Sequence, residues 1–98
     1  MNAVLKLDGE MSIYRAAELK ETLLDALAAT DAVLEVNLAG VYEIDTAGIQ
    51  LLMLAKREAA NSGRVLRLTA HSRAVAAAFE LLNLAGHFGD ALLVEDAA

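Results

Sequence analysis

Three stretches of this chain alternate between apolar and polar side chains, and segments of helical period separate them. In "AVLKL", Leu5 and Leu7 oppose Lys6; in "AVLEVNL", Leu34, Val36 and Leu38 oppose Glu35 and Asn37; in "VLRLTA", Leu66 and Leu68 oppose Arg67 and Thr69. Strands buried on both faces read as continuous Val/Ile/Leu runs, so alternation of this kind means one packed face and one wet face. Between the first two strands, "YRAAELKETLLDALAA" puts Ala16, Leu19, Leu23 and Leu27 on one helical face and turns Lys20, Glu21 and Asp25 away. Strands interleaved with helices require crossovers and at least partly parallel pairing. The expected fold class is therefore α/β, a small β-sheet with its helices packed mainly on one face.

The remaining punctuation fits this plan. "EMSI" reads as a short strand or turn after Gly9, and the acids around Gly9 suggest a turn there. A second helix is expected from Thr46 to about Asn61, ended by "NSG" with Gly63 supplying the permissive backbone. A third begins in "HSRAVAAAFELL", with Ser72 as N-cap and Val75, Phe79 and Leu82 as its inner stripe. "NLAGHFG" is expected to end it at Gly86, and "DALLVEDAA" to add an edge strand. No repeat or linker interrupts residues 1–98, and proline is absent, so one domain is expected.

Composition removes several classes of function. With no cysteine there are no disulfides, thiolate metal sites or thiol nucleophiles. Fourteen acids against eight bases, a net charge of −6, disfavour phosphate backbones and anionic lipid heads. Tyr14, Tyr42, Phe79 and Phe88 make no base-stacking platform, so nucleic acid is not an expected partner. Lys6 and Asp8 come too early for a secretory apolar region, and the apolar runs, Leu51 to Ala55 and Ala74 to Phe79, are far short of a membrane span. A cytoplasmic protein without direct membrane insertion is expected.

The stretch "EIDTAGIQLLMLA", Glu43 to Ala55, is the most informative for function. Asp45 has the chemistry of an N-cap, so Thr46 presents a hydroxyl at the first helical position, near the partial positive charge of the helix start. Gly48 is expected to keep the approach to that hydroxyl uncrowded. Ala47, Leu51 and Ala55, with Ile49, Leu52 and Ala59 beside them, can cover the sheet. Thr46, Gln50, Leu54, Arg57 and Asn61 recur at steps of three or four and share the opposite face, with Met53 at its edge. A purely solvated face would not carry a leucine and a methionine, so Asp45, Thr46, Gln50, Met53, Leu54 and Arg57 are the expected partner-binding residues. A phosphate on Thr46 would add nearly two negative charges to that surface.

At these residues the chain resembles the STAS domain, named for sulphate transporters and anti-sigma factor antagonists. "GEMSIYRAAELK", then "AVLEVNLAGVYEIDTAGIQLL", then "LRLTAHSRAVAAAFELLNLAGHF" keep the family's order of segments over nearly the whole chain. The resemblance implies a small mixed sheet with helices chiefly on one side. It also implies a non-enzymatic, partner-switching role, like that of an anti-sigma factor antagonist. There, a serine/threonine kinase that is often itself the anti-sigma factor phosphorylates the hydroxyl after the aspartate, and a phosphatase restores it. The matching residue is Thr46, followed by Ala47, where antagonists typically carry serine at the switch and often a second serine. Threonine at this place also resembles the small cytoplasmic subunit of phospholipid-transport ABC systems, in which it contacts the ATPase. An ABC ATPase is therefore the alternative partner, and chemotaxis-type operons carry similar stand-alone domains.

Catalysis has little support. His71 and His87 are isolated and read as capping or solvent residues, "AHS" lacks a glycine elbow, and Glu43 and Asp45 have no His or Cys nearby to form a metal set. No glycine-rich phosphate loop appears, and the arginines are widely spaced. No catalytic residue, cofactor or metal is expected. A wet sheet face and a patchy helix leave room for a homodimer.

Overall fold

The computed structural model describes residues 3–82 of the chain. It contains β1 (Ala3–Met11), α1 (Ala16–Ala28), β2 (Val33–Ile44), α2 (Thr46–Asn61), β3 (Val65–Thr69) and α3 (Arg73–Leu82). The strands lie in the order β1-β2-β3, and both pairings are parallel, as interleaved helices require. The alternation sorts as expected. Leu7, Leu34, Val36, Leu38, Leu66 and Leu68 are buried in one core with Leu19, Leu23 and Leu27 of α1, Leu52 and Ala55 of α2, and Val75 and Phe79 of α3. Register makes this possible, since Leu34 faces Leu66 and Val36 faces Leu68 across the ladder. On the other side of the sheet Val4, Lys6, Val65 and Arg67 are exposed, and the Thr69 hydroxyl donates to Glu35 Oε2 at 3.1 Å.

All pairing among the described residues is parallel, so the antiparallel component of a mixed sheet would have to come from elsewhere. The expected edge strand in "DALLVEDAA" and the expected cap at Gly86 lie outside the described residues. "EMSI" is neither a separate strand nor wholly a turn: β1 runs unbroken through Glu10 and Met11, and the chain turns at Ser12–Arg15. Gly9 is likewise inside the strand, at φ +81, where the register against β2 shifts. The Arg15 guanidinium explains how the strand survives this irregularity. Its Nη1 occupies the space a side chain at Gly9 would fill and donates to Asp8 O at 2.8 Å and Glu10 O at 3.0 Å.

β2 has an extra residue between Asn37 and Gly40, and another, Tyr42, between Val41 and Glu43, relative to β1. Each bulge inverts the in–out parity once. Val41 is thereby buried and Ile44 packs on the core, while Tyr42 is turned out and is 71% exposed. The bulges fall at the end of the sheet from which α2 departs, and so re-aim the side chains around its first turn.

The helix ends follow local chemistry. Gly63 takes the left-handed backbone (φ +72) after α2, and the Ser62 hydroxyl donates to Glu58 O at 2.9 Å. Ser72 caps α3, its Oγ accepting the Val75 N–H at 3.2 Å. α1 begins two residues later than Tyr14, with no side-chain cap at Arg15.

Candidate functional site

The start of α2 is built around Asp45. Its backbone is extended (φ −110, ψ −174), and its N–H donates to Met11 O at 3.1 Å, joining the ends of β1 and β2. One carboxylate oxygen, Oδ1, accepts the Gly48 N–H at 3.0 Å and completes the N-cap. The other, Oδ2, accepts the Ile13 N–H at 3.0 Å from the β1–α1 turn. One side chain therefore ties together two loops 32 residues apart in sequence. These amide donors, Gly48 first and Ile13 next, hold the Asp45 carboxyl below the usual carboxylate range.

The sign of the resulting pH dependence follows from that direction. A carboxylate more acidic in the folded than in the unfolded chain stabilises the fold above its ordinary pKa of about 3.9. The contribution disappears as pH falls through the lowered folded value. Wild type should therefore exceed Asp45→Asn in stability at neutral pH, and urea titrations should show that gap shrinking as pH falls below the ordinary carboxylate range. A gap that is the same at both pH values would remove the charged clamp from this account.

Around the clamp the expected residues divide. Thr46 is exposed at the first position of α2, and Gln50 and Arg57 are exposed along the same ridge. Met53 and Leu54 are half-buried and pack against the core cluster, so they flank the ridge instead of crowning it. Leu54 lines a shallow groove of about 290 Å³ with Ala47 and Gln50, closed on the other side by Ala16, Ala17 and Lys20 of α1. Met53 lines a second depression of about 260 Å³ with Lys56, Arg57 and Ala60. Gly48 differs from the expectation. It is buried and turned inward, and a Cβ there would collide with Met11 O, so its role is close packing of α2 on β1.

Sequence reasoning missed two groups. Ile13 is 68% exposed and Tyr14 89% exposed, and the Ile13–Asp45 hydrogen bond places this turn beside Thr46. The one sequence signal is the turn option in "EMSI", whereas the helical period of "YRAAELK" predicts Tyr14 inside α1. His71, expected to be a capping or solvent residue, is fully buried with its ring edge-on to Phe79 at 5.7 Å. Ser72 serves as a cap, which explains the pair without nucleophilic chemistry. Among the described residues no cluster of three His, Asp or Glu is placed to hold a metal, and no helix is long and apolar enough to cross a membrane.

This one-faced parallel sheet with its three helices is the fold of solved STAS domains, and STAS domains are often regulatory or protein-interaction modules. The chain belongs to the STAS domain family: the family model described as "Mlab, STAS domain" matches residues 1–95. Among solved structures it is similar to a sulfate transporter family protein from Wolinella succinogenes, with a TM-score of 0.74 and 22% identity over 90% of this chain and 71% of that one. It is also similar to the STAS domain of a SulP transporter from Vibrio cholerae, with a TM-score of 0.67 and 19% identity over 90% and 68%. These likenesses establish the shared fold. No curated protein matches the chain.

Proposed function

We propose that this chain is a non-enzymatic, cytoplasmic partner-switching protein of the anti-sigma factor antagonist kind. It docks onto a kinase or anti-sigma-type protein through the first half of α2, and phosphorylation of Thr46 controls the contact. Asp45, Gln50, Met53, Leu54 and Arg57 contribute to the docking surface, and Ile13 and Tyr14 extend it. The observation that carries this reading is the division of labour between adjacent residues. Asp45 already occupies the Gly48 N–H, so Thr46 is not needed as the cap and its exposed hydroxyl is open to modification. A phosphoryl group there would sit next to a carboxylate and project toward solvent. It would change the surface while leaving the helix start bonded.

The test is direct. Wild type and Thr46→Ala are each incubated with ATP and the candidate kinase, the label is mapped, and partner binding is measured before and after. Wild type should be labelled on Thr46 and lose at least about tenfold in affinity, because burying an unpaired phosphate at an interface is unfavourable by more than about 1.4 kcal/mol. Thr46→Ala should bind equally with and without ATP. Normal ATP-dependent release by Thr46→Ala would sink the switch.

A second reading keeps the surface and drops the switch: a subunit that binds the ATPase of a phospholipid-transport ABC system, with Thr46 as a contact. Threonine followed by alanine, in place of the paired serines typical of antagonists, favours it. Stable co-purification with an ATPase, unchanged by kinase treatment, would select this reading.

A further inference from the structure

The chain carries fourteen acids and eight bases, yet among the described residues no carboxylate lines either depression beside the exposed ridge of α2. Among the described residues the only charged side chain in the α1–α2 groove is Lys20; those in the neighbouring depression are Lys56 and Arg57. Lys56 is drawn down onto β3, its Nζ donating to Leu66 O at 2.8 Å, whereas Lys20 and Arg57 are exposed. The groove is mostly apolar: Ala16, Ala47 and buried Leu51 lie beside half-buried Leu54, with exposed Ala17 at its rim. Small residues between two helices leave space for the ridge of a third, and an amphipathic helix laid in a groove is a common way to fill such a surface.

We propose that the groove between α1 and α2 receives an amphipathic helix of a partner protein whose polar flanks are acidic. This rests on the reading of α2 as the docking element and names the chemistry of what docks there. The apolar stripe of the incoming helix lies over Ala16, Ala47 and Leu54, and its carboxylates meet Lys20 on one side and Arg57 on the other. Local basicity on an acidic protein selects for such a segment, because a basic helix would be held nonspecifically by the rest of the surface and gain nothing here.

The same charge class gives phosphorylation its sign. Ala47 lines the groove, so a phosphoryl group on Thr46 would stand at the groove mouth, about 6 Å along the helix axis from Gln50. That is within the Debye length of about 8 Å at physiological ionic strength. An acidic helix is expelled by the added charge, and a basic one would be retained.

A peptide-display library tests this on the unmodified chain. Helical peptides of about 18 residues, long enough to span the groove, carry a fixed Leu/Ala stripe with Glu, Lys or Ser randomised at flanking positions. Selected peptides are then measured singly by fluorescence anisotropy. Binders should be enriched in Glu on both flanks and should weaken as salt rises. Lys20→Glu and Arg57→Glu should each weaken them at least about fivefold. Ala17→Trp, which fills the groove from an exposed position, should abolish binding while the circular-dichroism melt stays unchanged. Lys-rich or charge-indifferent binders, an absence of binders, or acidic binders insensitive to Lys20→Glu and Ala17→Trp would overturn the proposal. So would a homodimer of the chain that the peptides displace, which would make a second copy the occupant. No kinase is used, so failure here leaves the Thr46 phosphorylation test intact, and failure of that test leaves this one standing.

Discussion

Gly48→Ala is expected to destabilise the protein by about 2–3 kcal/mol, although alanine is the better helix former by about 1 kcal/mol. The added Cβ would strike the Met11 carbonyl oxygen and lie 2.9 Å from both Ile44 Cγ1 and Met11 Cβ. Real Cβ atoms do not approach this closely, so something must move. Met11 O is not free to do so, because it accepts the Asp45 N–H at 3.1 Å and so ties β1 to the helix start. Relief requires α2 to lift from the sheet, which stretches that bond and disturbs the carboxylate bonds to Gly48 and Ile13. Urea denaturation should show the lower midpoint, and amide exchange at Ile13 and Gly48 should accelerate together. A neutral or stabilising Gly48→Ala would mean that the contact relaxes without strain and that the glycine does not set the helix position.

Phe79→Ala should have a still larger effect, about 3–5 kcal/mol, in the range of deleting a buried aromatic ring. Phe79 is 1% exposed and, with Val75, anchors α3 in the core. α3 has ten residues within the described chain, too few to hold a helix by local propensity, so its stability comes from this docking. The ring also forms one wall around His71, whose centroid lies 5.7 Å away at an interplanar angle of 69°. Removing it leaves a cavity beside a buried imidazole, which invites water. Against a total stability of about 5–15 kcal/mol, the loss should show as a steep fall in the thermal midpoint. Exposed Glu80→Ala, one residue away, should stay within about 0.5 kcal/mol of wild type. Comparable losses from the two substitutions would mean that α3 is not held by its inner stripe.

Much of the architecture was legible from periodicity. The alternation of "AVLEVNL" and "VLRLTA" predicts which residues meet across the ladder, and Leu34–Leu66 and Val36–Leu68 do so. The expected span of α2, its Asp45 cap and the Ser72 cap of α3 are all present, because capping depends on neighbours a few residues apart. What misled was each feature that depends on distant chain. Gly9 looked like a turn because Asp8 and Glu10 bracket it, and nothing local announces the Arg15 guanidinium that bridges its left-handed backbone. His71 looked like a capping or solvent residue because no local pattern announces that a ring from the next helix will cover it.

The candidate site divides in the same way. Thr46 at the first position of α2, with Gln50 and Arg57 on its exposed ridge, could be read from the helical repeat alone, since 3.6 residues per turn fixes which side chains share a face. The half-burial of Met53 and Leu54, the inward turn of Gly48 and the presence of Ile13 and Tyr14 beside Asp45 were decided by how α1, α2 and the end of β1 come together. Periodicity sets the direction of a side chain from its own helix axis. Whether that direction ends in water, a neighbouring helix or a backbone carbonyl depends on packing between segments that no local pattern encodes.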